Sequence, residues 1–319
     1  MVRAATEGLY PLAQPAPLNT HPMQPYLTLE TLESAATGAK PARLAVLGHP
    51  VSHSASPQLH QPALDAFGIA ATYVRLEVRP GEIGEAFAMM KRLGFIGCNV
   101  TVPHKFEAME ACDAVSDQAS VLGAVNTVVF GENGTSGHNT DGPGFEQAIH
   151  EAFGFFPGEV HTLILGAGGG AGQAIATQCA LAMPARITLV NRSVEKIATL
   201  AERLRNISPG TEITAIPFSD PALAGHCHSA DLLVQTTSLG LRPGDPQVIP
   251  DGCLLERHCA YDTIYQPPET PFLASARRTG CRTENGLSLL IHQGAIAFQH
   301  WFPGTDPLPH MRAAMKKTQ

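Results

Sequence analysis

The segment HTLILGAGGGAG, His161 to Gly172, constrains this chain more than any other stretch. Thr162 to Leu165 form a short apolar run of the kind that makes a buried strand, and the glycines after it free the backbone to turn sharply. In the pattern GxGxxA, Gly166 permits the tight turn, Gly168 lets the main chain approach a pyrophosphate, and small Ala171 lets strand and helix pack closely. Ala167, Gly169 and Gly170 complete a loop whose free N–H groups open the next helix and favour phosphate there. A helical pattern to about Ala182 and the strand RITLVNR follow in register, the setting in which such a loop binds a dinucleotide. The second strand ends in Asn191, Arg192 and Ser193, about 25 residues past the first glycine, where an NAD-binding chain usually places an acid. No carboxylate stands at that tip. Arg192 can pair with a 2′-phosphate and Lys196 adds charge, so NADP(H) is the expected cofactor.

The helix VEKIATLAERLRN, with Val194, Ile197, Leu200 and Leu204 on one face, and the strands EITAIPF, DLLVQTT and, last, YDTIY complete one doubly wound unit. A separate α/β series precedes it. RLAVLG reads as a strand, QLHQPALDAFG as a helix, ATYVRLEV as an alternating strand, EIGEAFAMMKRLG as a helix stopped by Gly94, and FIGCNVT as a strand. One further helix over 104–119 and a hairpin turning at Asn133 and Gly134 would close it. A chain of 319 residues exceeds what one core usually fills. The fold class expected is therefore α/β with two domains: an N-terminal substrate domain on a mostly parallel sheet and a C-terminal Rossmann-like nucleotide domain. GLSLLIHQGAIAFQHWF is a long final helix whose period does not say where it packs.

Composition excludes several classes of function. The formal net charge of −7 and the absence of a Lys/Arg run argue against nucleic acid. No stretch has the apolar length of a membrane span or the form of a signal peptide, so a cytoplasmic protein is expected. The seven cysteines form no CxxC pair, and reduced thiols are expected. His226 and His228 flank Cys227, but no second cluster completes a ligand set, so no metal is expected. Residues 1–40, with scattered prolines, read as an extension with at most one short helix and no assigned chemistry.

Four segments ahead of the glycine loop concentrate small polar residues: HSASP, NVTVPHK, GAVNT and NTDGPG. Ser54 and Ser56 precede Pro57 at a helix start, where hydroxyls and main-chain N–H groups can cap the helix or hold a carboxylate. Thr101 and Lys105 follow a buried strand, at the edge where open α/β sheets place ligands.

In order and content these segments resemble the shikimate dehydrogenase family. LGHPVSHSASPQLH resembles its opening motif, GCNVTVPHK its lysine motif, and GAVNT with NTDGPG its asparagine and aspartate motifs. GAGGGAG, NRS, YDTIYQPPETP and the final helix resemble its nucleotide loop, phosphate clamp, tyrosine segment and C-terminal helix, over residues 43–305. The resemblance implies a reversible, NADPH-dependent reduction of 3-dehydroshikimate to shikimate on the route to chorismate and aromatic amino acids. Lys105 would be the acid and base and Asp141 its partner. Ser54 and Ser56 would hold the substrate carboxylate, Thr101, Asn126 and Gln293 its hydroxyls, and Tyr265 would close the pocket. Thr263 and Gly286 would meet the nicotinamide end through their backbones. The family's last helix packs back on the first domain, which implies an extension over 1–40, a substrate domain of 41–141 with 287–319, and a nucleotide domain of 142–286. A monomer or homodimer is implied.

Three departures from the family pattern stand out. Gln235, Thr236, Thr237 and Ser238 replace Asn-Ala/Thr-Thr-Ser, Ser288 replaces a common Gly, and Leu289 stands where a Met often lies. They should change Michaelis constants more than turnover. The rival readings are a quinate-oxidising enzyme of the same family and a non-catalytic metabolite sensor. An acid at the clamp, frequent with quinate and NAD, is missing at Ser193 and Val194, and a sensor needs neither Lys105 nor Asp141.

Overall fold

The computed structural model describes residues 26–316; residues 1–25 of the expected extension, and 317–319, lie outside them. After a short helix, α1 (Leu32–Ala35), the first series runs β1 (Ala42–Gly48), α2 (Ser56–Ala66), β2 (Thr72–Glu77), α3 (Ile83–Arg92) and β3 (Gly97–Val100). α3 buries Ile83, Ala86, Phe87 and Met90, one face of an amphipathic helix, and the chain turns at Gly94 with φ of 76°. Next come α4 (Lys105–Ala111), β4 (Ala114–Val115), α5 (Asp117–Leu122) and the hairpin β5 (Thr127–Gly131) and β6 (Gly134–His138). The six strands lie in the order β2-β1-β3-β5-β6-β4. β1 is parallel to both neighbours, so its carboxyl edge, like that of β3, opens on one side of the sheet.

The second series starts with α6 (Asp141–Phe153) and continues β7 (Thr162–Leu165), α7 (Gly170–Leu181), β8 (Arg186–Asn191), α8 (Val194–Ile207) and β9 (Glu212–Pro217). It ends with α9 (Leu223–Ser229), β10 (Leu232–Gln235), β11 (Cys259–Asp262), α10 (Pro271–Thr279) and β12 (Arg282–Asn285). The order β12-β11-β10-β7-β8-β9 is parallel throughout. The chain leaves β7 toward β8 on one side and returns to β10 on the other. That reversal opens a crevice at the carboxyl ends of β7 and β10.

α11 (Leu287–Trp301) carries the chain back, and α12 (Leu308–Lys316) ends the described residues. Ile291, Ala295, Phe298 and Trp301 of α11 join the core of the first sheet, and the Trp301 indole donates to the Val128 carbonyl at 3.0 Å. α11 also crosses α6 so closely that a Cβ on Gly144 would stand 2.7 Å from the Gln293 nitrogen. No helix among the described residues is long and apolar enough to cross a membrane.

The observed elements depart from the sequence reading in several places. The single helix expected over 104–119 is two, α4 and α5, with β4 paired to β6 between them. Asp113 exchanges hydrogen bonds with Thr135 and the Ser116 hydroxyl caps Ala119, so local polar contacts outcompete helix continuation. YDTIY is not the last strand, because β12 adds a further edge strand. Its sequence RTEN is polar and at most half-buried, so no apolar pattern announces it. The hairpin pairs Gly131 with Gly134, leaving Glu132 and Asn133 as its turn. Of the expected extension, Leu27 pairs along β2 and Leu32 is fully buried against the first sheet. α12 was not foreseen.

Candidate active site

A cavity of about 380 Å³ opens at the carboxyl edges of β1 and β3, facing the second sheet. Ser54, Ser56, Thr101, Lys105, Asn126, Asp141, Tyr265 and Gln293 all line it, together with Thr263 and Gly286. Lys105 is the first residue of α4 and Asp141 the first of α6, and their side chains meet at 2.7 Å, each about one-third exposed or less. Each is held through its main chain. The Lys105 carbonyl accepts from the Val125 N–H at 2.9 Å, and the Asp141 N–H donates to the Asn139 side chain at 3.0 Å. Asn126 accepts from the Thr140 N–H at 2.8 Å and donates to the Thr140 hydroxyl, which pins the start of α6.

Behind this layer is a buried polar network that the sequence reading did not single out. The Tyr73 hydroxyl donates to Asn99 at 2.7 Å, and the Asn99 amide donates to the Asn126 carbonyl and the Thr127 hydroxyl. Asn139 donates to the Ala124 carbonyl. A signal existed: Asn99 interrupts the apolar strand GCNV, and a polar side chain there needs partners. The Ser54 hydroxyl donates to the Ser56 hydroxyl at 3.1 Å and accepts from the Ser56 N–H at 3.3 Å, and both residues line the cavity at the start of α2. Burial pushes the Tyr265 phenol up, which keeps it a neutral donor. A Cβ on Gly286 would lie 2.1 Å from the Thr263 carbonyl oxygen, so only glycine fits this crossing.

A second cavity, of about 630 Å³, lies over the crevice beside β7. Gly166, Gly168, Gly169, Asn191, Arg192, Ser193 and Lys196 line it, with Thr236, Thr237, Ser238 and Leu239 opposite. Of the sequence candidates, Ala167 is buried under the loop and Gly170 begins α7; neither lines the cavity. Gly166 has φ of 90°, and a Cβ on Gly168 would stand 2.6 Å from the Asn191 amide nitrogen. Gly169 caps α7 without a side chain, leaving the first N–H groups of this helix open to a phosphate. Arg192 and Lys196 make no ion pair among the described residues. A close-packed glycine cradle, a free helix start and two unpaired cations fit a dinucleotide carrying an extra phosphate. Gln235, fully buried, ties its own loop: its oxygen accepts from the Thr237 N–H and its amide donates to the Leu239 carbonyl at 2.8 Å. Ser288 donates to the Asn285 carbonyl, and Leu289 lines the first cavity. His226 and His228 lie on α9, and no group of three or more metal-ligating side chains converges among the described residues.

Two cavities, one with a glycine cradle and one with a lysine–carboxylate pair, are the arrangement of an α/β oxidoreductase. A family model described as the shikimate dehydrogenase substrate binding domain matches residues 46–128. The shikimate dehydrogenase (NADP(+)) of Moorella thermoacetica is 40% identical over 275 residues, 86% of this chain and 92% of that protein. Among solved structures, a shikimate 5-dehydrogenase of Thermus thermophilus in complex with NADP(H) and shikimate superposes with a TM-score of 0.76, at 34% identity, over 87% of this chain and 100% of the other. A quinate dehydrogenase of Corynebacterium glutamicum in complex with NAD also superposes, with a TM-score of 0.78 at 30% identity, over 86% of this chain and 98% of that one. The chain belongs to the shikimate dehydrogenase family.

Proposed function

We propose that this chain catalyses the reversible reduction of 3-dehydroshikimate to shikimate with NADP(H). The observation that carries the reading is the 2.7 Å contact between Lys105 and Asp141 inside a cavity walled by Ser54, Ser56, Thr101, Asn126 and Gln293. NADPH, when bound, supplies the hydride. The glycine loop at Gly166 to Gly170 and the start of α7 hold its pyrophosphate, with Asn191, Arg192, Ser193 and Lys196 at the 2′-phosphate. Thr263 and Gly286 present main chain to its nicotinamide end.

The remaining steps belong to the protein. Ser54 and Ser56 bind the carboxylate, and Thr101, Asn126 and Gln293 fix the hydroxyls. Tyr265 covers the substrate and excludes water, so the reacting carbon is held in one orientation. As negative charge develops on the carbonyl oxygen, the Lys105 ammonium stabilises it and gives up a proton to make the alcohol. Asp141 keeps the ammonium aimed at that oxygen. In the oxidation direction neutral Lys105 takes the hydroxyl proton back. We also propose that residues 41–141 with 287–319 act as the substrate unit and 142–286 as the nucleotide unit, closing on each other about Gly142–Gly144 and Asn285–Gly286.

The test is to follow NADP reduction by purified protein with shikimate and then with quinate, and to repeat both with NAD. Turnover of shikimate with NADP, well above the other three combinations, is expected. Preference for quinate, or no turnover with either alcohol, would overturn the reading.

A further inference from the structure

Arg75, on β2, is only 5% exposed, yet it makes no ion pair among the described residues. Its guanidinium donates twice to the Ser54 carbonyl, from Nε at 2.9 Å and Nη2 at 2.6 Å, and once to the Gln58 side chain at 2.9 Å. An arginine stays charged, and a buried charge without a counter-charge is costly. A chain that keeps one gains where a ligand brings the missing anion.

The geometry on the other side of Ser54 shows where that anion would sit. The Ser54–Ala55 peptide is not among the cis bonds, so its N–H points away from the carbonyl that Arg75 holds. The Ala55 N–H has no acceptor among the described residues, and Ser54, Ala55 and Ser56 all line the substrate cavity. They sit at the start of α2, an 11-residue helix. The charged groups on the cavity wall nearly cancel, since Lys105 is matched by Asp141. The uncompensated positive charge next to the serine loop is therefore Arg75, one peptide behind the surface.

We propose that Arg75 is a positioning residue for the substrate carboxylate. It fixes and polarises the Ser54–Ala55 peptide so that the Ala55 N–H joins the Ser54 and Ser56 hydroxyls as a donor, and its charge makes the site select an acid over the corresponding neutral ester. This rests on the reading that the cavity binds shikimate.

The experiment compares shikimate with its methyl ester as substrates for the full-length wild type and for Arg75→Met, Arg75→Gln and Arg75→Lys. In Arg75→Met and Arg75→Gln the KM for shikimate should rise roughly 10- to 100-fold, the range for losing a hydrogen bond that involves a charged group. kcat should fall by much less, and the KM values for the ester and for NADP should move by less than about 3-fold. Arg75→Lys, which keeps the charge, should recover part of the acid-over-ester preference. Equal rises for acid and ester would reveal a merely structural role and overturn the proposal, as would an unchanged preference. Should Arg75→Met fail to fold, Arg75→Gln keeps a donor for the Ser54 carbonyl without the charge and is read the same way. Failure of the functional reading looks different: the wild type itself would not oxidise shikimate.

Discussion

Lys105 and Asp141 meet at 2.7 Å although 36 positions separate them, because each opens a helix and the two helix starts converge on one cavity. Both side chains line the same cavity, and in the proposed reaction both act at the carbonyl oxygen. If the pair acts as a unit, its members are not additive. Lys105→Ala should lower kcat by roughly 10²- to 10⁴-fold, the usual range for a positioned acid or base. Asp141→Asn should cost less, and the double variant should be little slower than Lys105→Ala alone. Single-turnover and steady-state rates of the three proteins check this. A double variant slower by the product of the single effects would mean that the two residues work independently.

On the proposed reading, the cofactor phosphate depends on a different pair of charges. Arg192 and Lys196 line the second cavity with no acid bonded to either among the described residues, and the Asn191 side chain beside them accepts from the Gly168 N–H and donates to the Ser193 carbonyl. Arg192→Asp should lower kcat/KM for NADP by roughly 10²-fold, since it removes a charge-assisted contact and adds a like charge. The value for NAD should change little or rise. Initial rates with the two cofactors give the ratio directly, and an unchanged ratio would remove Arg192 from the clamp.

Much of this site was legible in the sequence because its parts stand in short runs at strand ends. Ser54, Thr101 and Lys105 follow the neighbouring parallel strands β1 and β3 of the first sheet, whose ends share one edge, and Gly166 follows β7 of the second. What supports them was not legible. Arg75 sits at a polar position of the alternating run ATYVRLEV, and a period of two cannot tell a solvent-facing arginine from one turned under a neighbouring loop. β12 is written RTEN and pairs through its backbone, which leaves no hydrophobic trace. The break between α4 and α5 depends on Thr135, more than 20 positions from Asp113, and local propensity cannot see that contact. Gln235 reads as a departure from a family motif, yet its longer arm ties the loop that lines the cofactor cavity.

Gly144 tests how closely the two connecting helices must approach. Alanine there would place its Cβ 2.7 Å from the Gln293 nitrogen and 2.8 Å from its Cβ. Helix propensity favours alanine by about 1 kcal/mol, but the contact is with α11 itself and gives way only if the helices separate. Gly144→Ala should therefore destabilise the protein by about 1–3 kcal/mol and raise the KM for shikimate through displacement of Gln293. Urea melts and steady-state kinetics of the variant provide both numbers. A more stable variant with wild-type KM would show that α6 and α11 have room to part.

His60 carries the last prediction, on acid stability. Its ring is fully buried and stacks on Tyr73 at 4.5 Å with the planes 6° apart, with the Asn99 side chain as its polar neighbour. Burial pushes its pKa down to about 3. The unfolded chain takes up a proton near pH 6.5 that the folded protein refuses until about 3, so stability is fully present above pH 6.5 and is lost as the pH falls toward 3. Integrated from pH 7 to pH 4, this one group removes about 3 kcal/mol. His60→Phe keeps a flat ring against Tyr73 and removes the proton site, so the free-energy difference between variant and wild type should grow in favour of the variant as the pH drops. Urea titrations at pH 7, 5.5 and 4 measure that difference. If it stays constant across the three, His60 is not the group that the acid attacks.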